Sequence, residues 1–369
     1  MDGFRWDYTN NVETPNFDAI EKMGVKAESM QVSFPSKTFP NHYTLVTGLV
    51  PDHHGIVNNT FYAPQYNQVY SIRDREAVSD GKFYGGEPIW NTAEKQGIKA
   101  ASYFWVGSEA DIQGMRPSYW KPYDHDFDFY QRADSVISWL SLEEGKRPQM
   151  ISWYVAEPDG IGHHYGPKSP QADSAIRALD ALLGYFIKKL SNHPLADQVN
   201  VIVTSDHGMA TISEERSILL NQYLKKEWVK YALGGNPIYN IQAEDGYYDS
   251  IYLALEDVAG LKIFKNPELP AHLNYGTNEN CLDFTIVADS SFSIMKKAPR
   301  RDYGMGTHGY DISNKDMNAI FYAYGPAFKN GYQQAMFSNT SVYPLMCEVL
   351  GIIPAPNDGN LDEVKSMLK

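Results

Sequence analysis

Cysteine is nearly missing from this chain of 369 residues: Cys281 and Cys347 are the only two. That excludes a disulfide framework and a zinc site built on thiolates, and leaves room for at most one bridge between the pair. Positive charge is also scarce. With 32 Lys and Arg against 45 Asp and Glu, the formal net charge is −13. A protein that coats nucleic acid needs a broad basic surface to neutralise phosphates, so no stable nucleic-acid complex is expected. A small anionic substrate, held where cations gather locally, remains compatible with that charge. No apolar run is long enough to span a membrane, and no signal-peptide pattern is present. Internal repeats, low-complexity tracts and Pro- or Ser-rich linkers are lacking as well. The opening "MDGFRWDY" is polar and aromatic, and reads as though a strand or a targeting segment stood before it.

What is present is a globular chain. Hydrophobic residues make up 43% and charged residues only 21%, which suits a substantial core rather than disorder. Tyrosine is frequent, with 26 residues, and its amphipathic ring serves clefts as well as packing. Short apolar runs at 25–32, 100–106, 150–156, 199–204 and 319–324 read as buried strands. Helix-like periodicity occupies 16–23, 135–142, 171–190 and 212–224. Strands alternating with helices predict an α/β fold, a largely parallel central sheet covered on both faces. The stretch from about 225 to 303 reads differently, with turn signals between alternating segments, and predicts a smaller β-rich insertion. With no linker to separate it, residues 1–369 are expected to form a single catalytic domain.

Three segments end an apolar strand in metal-ligand residue types. "MISWYVAEPDGIGHHYGP" offers Glu157, Asp159, His163 and His164; "VNVIVTSDHGM" offers Asp206 and His207; "MGTHGYD" offers His308 and Asp311. In open α/β sheets the loops beyond the carboxyl ends of the strands converge on the ligand, and Asp2 and Thr38 belong to the same end. Imidazole and carboxylate without sulfur suit catalytic zinc with open coordination positions. Two such ions about 4 Å apart clamp the attacking and leaving oxygens of a displacement. Three aspartates offset three of their four positive charges, and the remainder attracts phosphate.

"PSKTFPNH", residues 35–42, places Ser36, Lys37 and Thr38 before a helix start. Either hydroxyl suits an N-cap. Thr38, directly before Phe39 and Pro40, is better placed as a nucleophile, because a helix N-terminus and a nearby metal both favour its alkoxide. Capping and nucleophilic roles are geometrically compatible. His42, His53 and His54 are expected to pack or to serve turns.

Together "MDGFRWDY", "PSKTFPNHYTLVTGLVPDHHGIVNN", "SYFWVGSEADIQG", "EPDGIGHHYGP", "TSDHGM" and "GTHGYD", in that order, resemble the nucleotide pyrophosphatase/phosphodiesterase family of the alkaline phosphatase superfamily. The chain is similar to a compact, bacterial-type member, without the somatomedin-like and nuclease-like modules of the animal proteins. The resemblance implies an alkaline-phosphatase-like fold and two zinc ions. One would be held by Asp159, His163 and His308, the other by Asp2, Asp206 and His207, with Thr38 as bridging nucleophile. In the family pattern an apolar strand leads into the first aspartate. Asn59 would hydrogen-bond a non-bridging phosphoryl oxygen, and Phe39, Tyr154 and Tyr123 would border the nucleoside. The implied reaction is hydrolysis of nucleotide phosphodiester or pyrophosphate bonds in two steps, through a covalent phospho-threonine. A neutral Asn59 favours a singly charged diester over a doubly charged monoester. The alternatives are a lysophospholipase C-like or phosphonate hydrolase of the same superfamily, or a zinc-dependent binding protein without turnover. Family members work outside the cytoplasm, in the periplasm or secreted, and the same is expected here.

Overall fold

Apolar residues at 172, 176, 179, 183, 186 and 190 share one face of a 3.6-residue repeat, and the chain is helical there. Ser169 caps that helix by accepting from Ala172 N (3.1 Å), with Pro170 in the first turn and Lys188 and Lys189 in the last. The computed structural model describes residues 1–299 and 304–369. The elements that position the site are, in chain order, α1 (Pro15–Met23), β1 (Val25–Ala27), α2 (Thr38–Thr47), β2 (Ala100–Tyr103), β3 (Tyr119–Lys121), α3 (Phe129–Leu140), β4 (Met150–Trp153), α4 (Asp159–Tyr165), α5 (Pro170–Ser191), β5 (Val201–Thr204), β6 (Val229–Gly235), β7 (Ile238–Ala243), β8 (Leu261–Lys265), β9 (Phe284–Ala288), β10 (Phe321–Tyr324), β11 (Tyr332–Gln334) and α6 (Val342–Leu350).

Strands β3–β2–β4 form a parallel group, and β11–β1–β10–β5 a mixed one in which β10 runs antiparallel to both neighbours. The Met1–Asp2 backbone joins the two groups: Asp2 N donates to Val155 O, and the Met1 ammonium to Thr204 O, each at 2.9 Å. Helices cover both faces, as the alternation along β10 makes plain. Ile320 and Tyr322 pack with α1, α3 and α5, whereas Ala319, Phe321 and Ala323 pack into the cluster that holds Leu45 of α2 and Val342 of α6. Strands β6–β7–β9–β8 form a separate antiparallel sheet inside the 225–303 stretch, whose residues 300–303 lie outside the described residues.

Several expected boundaries move. The 25–32 run breaks at Glu28, and α3 begins at Phe129, because Asp128 accepts from Gln131 N (3.0 Å) and starts the helix early. The helix expected at 212–224 does not form. Residues Ser217–Leu219 pair in parallel with Ser293–Met295, flanked by single 3₁₀ turns, so a tertiary strand partner overrides local periodicity.

The cap of α1 is tertiary too. Thr14, at the N-cap position, makes no side-chain capping bond. Instead Asp180 of α5 accepts from Asn16 N (3.0 Å), Asn16 Nδ2 (2.7 Å) and Phe17 N (3.0 Å), while Gly184 leaves room for Asn16, whose Oδ1 would lie 2.4 Å from an added Cβ. Replacing Asp180 by Ala strands buried backbone donors and is expected to lower stability by about 2–3 kcal/mol. Urea unfolding followed by circular dichroism checks this; an unchanged midpoint would show that water replaces the carboxylate.

Candidate active site

Five loops meet where the central strands end. Asp2 stands at the end of the Met1–Asp2 segment, Thr38 opens α2, Asp159 and His163 lie one turn apart on α4, Asp206 and His207 follow β5, and His308 precedes β10. Gly3 adopts φ +67°, and a Cβ there would lie 2.9 Å from Asp159 Cα, so glycine at this point lets the first loop lie against the third.

The ligand-type residues fall into two groups, Asp159–His163–His308 and Asp2–Asp206–His207, and within each group one donor atom per residue lies within 4.8 Å of the others. His163 Nε2 is 3.4 Å and His308 Nε2 3.6 Å from Asp159 Oδ1. His207 Nε2 is 3.4 Å from Asp2 Oδ1 and 3.1 Å from Asp206 Oδ2. Ligands about 2.0–2.1 Å from a tetrahedral ion stand about 3.4 Å apart, which these spacings match. Each imidazole is oriented by its other nitrogen. Nδ1 of His163 faces Gly306 O (2.9 Å), that of His308 faces Ser36 O (2.8 Å) and that of His207 faces Gly208 O (2.8 Å). A carbonyl only accepts, so Nδ1 carries the proton and Nε2 presents its lone pair to the site.

The carboxylate oxygens complete the test for a metal. Among the described residues Asp2 Oδ1, Asp159 Oδ1 and Asp206 Oδ2 are buried without a hydrogen-bond partner, and they are the same oxygens that face the histidines. Buried carboxylate oxygens without donors are costly, and a cation satisfies them. Burial first, then the charges of Asp206 and Asp159, hold the Asp2 carboxyl well above the usual range. For Asp206, burial pushes upward but His207 and His42 outweigh it and keep it well below. Burial, reinforced by His207 and Lys37, keeps the His308 imidazole neutral. The residues present fit divalent metal ions, and among the described residues these are the two groups that do.

The two groups adjoin, for the His207 and His308 rings stack with centroids 3.5 Å apart. Thr38 Oγ1 lies 3.3 Å from His207 Nε2. Thr38 is the first residue of α2 and caps nothing; Lys37 holds the N-cap position and also makes no side-chain cap. Ser36 is committed elsewhere, donating to Tyr310 O and accepting from Gly309 N, each at 3.0 Å. Asn59 supplies a first-turn cap, since its Oδ1 accepts from Phe39 N (2.9 Å), and this fixes the amide with Nδ2 as the free donor.

Tyr154 donates its hydroxyl to Asp2 Oδ2 at 2.5 Å and sits edge-on to His42. Tyr123 is half-buried, tilted 6.1 Å from Tyr154 and beneath the Arg75 guanidinium at 5.9 Å; Phe39 is half-buried against Tyr70. Glu157, His164 and Asp311 fall outside both groups. Glu157 accepts from Ile161 N, His164 is exposed beside Tyr165, and Asp311 pairs with His272.

His53 pairs with Asp358 on the surface, and His54 packs between Thr44 and Pro40 O. His42 does more than pack. Its Nδ1 faces Thr38 O at 3.0 Å and stands 3.1 Å from Asp206 Oδ2. Its position one helical turn after Thr38 was the available signal. Lys37 went unassigned as well. It is buried, donates to Asn236 O, and burial pushes its ammonium down to about 7.

Compared with known proteins, residues 1–311 match the model of the type I phosphodiesterase / nucleotide pyrophosphatase family. The chain belongs to that family. It is 37% identical over its whole length to human ectonucleotide pyrophosphatase/phosphodiesterase family member 5, covering 76% of that protein. Identity is 35% to a venom phosphodiesterase of Crotalus durissus collilineatus and to mouse family member 1, of which the chain spans 46% and 42%. Among solved structures, murine family member 5 superposes with a TM-score of 0.96 at 36% identity, over 100% of this chain and 98% of that one. That structure is an inactive variant with a threonine replaced by alanine, in complex with AMP. The fold is thus alkaline-phosphatase-like α/β, and the protein is an enzyme of a metal-dependent family of nucleotide phosphodiester hydrolases. Among the described residues no helix is long and apolar enough to cross a membrane.

Replacing Tyr154 by Phe removes the donor to Asp2 Oδ2. Loss of such an outer partner typically weakens metal binding about 10–100-fold. Competition with a chromogenic zinc chelator is expected to show a loss of that order, and an unchanged affinity would assign the Tyr154 hydroxyl to structure alone.

Proposed function

We propose that the chain hydrolyses phosphodiester or pyrophosphate bonds of nucleotides through a covalent phospho-threonine on Thr38, with two zinc ions. Asp159, His163 and His308 hold one ion; Asp2, Asp206 and His207 hold the other. The observation that carries this reading is the position of Thr38 Oγ1, 3.3 Å from a histidine lone pair at the start of α2. It stands beside buried carboxylate oxygens that have no hydrogen-bond partner among the described residues.

Zinc bound in these groups supplies Lewis acidity and eases deprotonation of a hydroxyl or water toward pH ~7. The protein's own residues do the rest. Thr38 Oγ1 loses its proton, forms the bond to phosphorus and displaces the leaving oxygen, which takes up a proton. Water then attacks the phosphorus, and the Thr38 Oγ1–P bond breaks to regenerate the hydroxyl. The N-terminus of α2 favours the negative Oγ1 while it exists. Asn59 Nδ2, free because Oδ1 is engaged by Phe39 N, donates to a non-bridging oxygen. As a neutral donor it suits a singly charged diester. Phe39 and Tyr123 border the nucleoside, where a stacked ring contributes about 1–3 kcal/mol. Tyr154 borders the same space while holding Asp2.

Residues 1–369 act as one catalytic domain in this reading, with 225–303 as its β-rich insertion. The "ecto" in the relatives' names supports work outside the cytoplasm. The AMP bound by the murine relative supports a small nucleotide as substrate.

The test is hydrolysis of the p-nitrophenyl ester of thymidine 5′-monophosphate beside p-nitrophenyl phosphate, with zinc supplied and then chelated. Expected are a strong preference for the diester, loss of activity on chelation, and no detectable turnover by Thr38→Ala. Asn59→Ala is expected to lower kcat by about 10²–10³, the usual cost of one oxyanion donor. Preference for the monoester would overturn the assignment of Asn59. Faster turnover of a choline phosphodiester would favour the lysophospholipase C-like alternative, and zinc binding without turnover of any ester a binding protein.

A further inference from the structure

Arg132 is wholly buried at the start of α3, where the helix dipole disfavours a cation. Burying a charge is costly unless it is paired and hydrogen-bonded. The acceptors around this guanidinium are main-chain carbonyls. Nε donates to Phe127 O (2.9 Å), Nη1 to Tyr154 O (3.1 Å), and Nη2 to both Asp124 O (3.2 Å) and His125 O (3.1 Å). The Phe104 and Phe129 rings lie against it, with centroids 4.9 and 4.7 Å from Cζ.

Those carbonyls share a location. Asp124, His125 and Phe127 belong to the loop 122–128 between β3 and α3, and Tyr154 stands just beyond β4. Among the described residues no backbone-to-backbone hydrogen bond holds residues 123–127. Tyr123 N is held by a side chain instead, donating to Glu109 Oε1 at 3.0 Å. A segment without a ladder of its own takes its shape from the side chains that bond it, and Arg132 bonds this one at Asp124, His125 and Phe127. Phe104 extends the contact. It adopts φ +68°, which is costly for a bulky residue, and its ring stands edge-on to Tyr123 at 5.4 Å. Arg132 thus sits behind both Tyr123 and Tyr154, whose rings are 6.1 Å apart and whose hydroxyls are engaged by His125 and Asp2.

We propose that Arg132 is a positioning residue for substrate specificity. By tying the 122–128 loop to the end of β4 it sets where the Tyr123 and Tyr154 rings stand, and so favours phosphodiesters that carry a nucleoside over those that do not. The proposal rests on the reading that these two rings border the nucleoside. A planar guanidinium offers a fixed fork of donors, enough to bond both segments at once. A lysine ammonium is a point charge on a flexible stem and cannot hold the same carbonyls in one plane.

The test compares two diesters with one leaving group, the p-nitrophenyl ester of thymidine 5′-monophosphate and methyl p-nitrophenyl phosphate, on the zinc-loaded chain and on Arg132→Lys. For the variant, KM for the thymidine ester is expected to rise about tenfold, as for loss of one stacked ring. Its kcat for that ester and its kcat/KM for the methyl ester are expected to stay within about twofold. Should Arg132→Lys not fold, Phe104→Leu leaves the buried charge and its carbonyl bonds in place and is expected to raise the same KM about threefold. Equal kcat/KM for both esters in the unaltered chain would remove the nucleoside border itself and this proposal with it. A preference for the thymidine ester that the variants keep would overturn this proposal alone. So would a parallel loss on both esters, since a disturbed fold or metal group slows the two alike.

Discussion

Three buried carboxylates turned into one small volume set the terms for everything around them. Asp2, Asp159 and Asp206 each keep one oxygen without a donor among the described residues, and burial together with mutual repulsion disfavours the charge on Asp2 in particular. A fold offsets such crowding with cations or with protons. Here the neighbours are histidines whose Nδ1 protons are tied to carbonyls of Gly306, Ser36 and Gly208. They turn Nε2 toward the carboxylates, the nitrogen left to bind a cation. The residues are therefore arranged as ligands suited to positive ions.

The sheet and helices supply the rigidity this arrangement needs. Asp206 and His207 emerge from the end of β5, and Gly3 N and Ser205 Oγ both donate to the Asp206 oxygen that points away from His207. Asp159 and His163 stand one turn apart on α4, the spacing that puts both on one helix face. Thr38 opens α2 with its backbone held through His42 and its successor's amide held through Asn59. A hydroxyl kept at a helix start by neighbours on both sides would lose little entropy on meeting a target, which suits the role proposed for Thr38.

The aromatic residues adjoin the candidate metal groups. Tyr154 has its hydroxyl on Asp2 and its ring beside His42, with Tyr123 on the next shelf outward. One side chain thus touches both the Asp2 carboxylate and the aromatic rings of His42 and Tyr123. Lys37 plays a comparable part on the other side, reaching from the residue before Thr38 to Asn236 O at the turn between β6 and β7. The antiparallel sheet is tied in that way to the start of α2.

The residue groups of the candidate site were legible in the sequence because they reside in residue types and short spacings. Asp159 and His163 four apart, Asp206 beside His207, and Thr38 before Phe39-Pro40 are local patterns, and local geometry carries them into the fold intact. The alternation of strand and helix told the fold class for the same reason. Which aspartate meets which histidine, and the exclusion of Glu157, His164 and Asp311, required the tertiary structure, since the partners lie as far apart in the chain as Asp2 and His207 and only the loop geometry aligns them. Residues 217–219 became a strand because Ser293–Met295 was there to pair with them, and α1 is capped from α5, where no sequence window would look. His42 and Lys37 read as ordinary polar residues until burial set them against Asp206 and Asn236. Sequence determined what the site is made of; packing over long range decided what touches what.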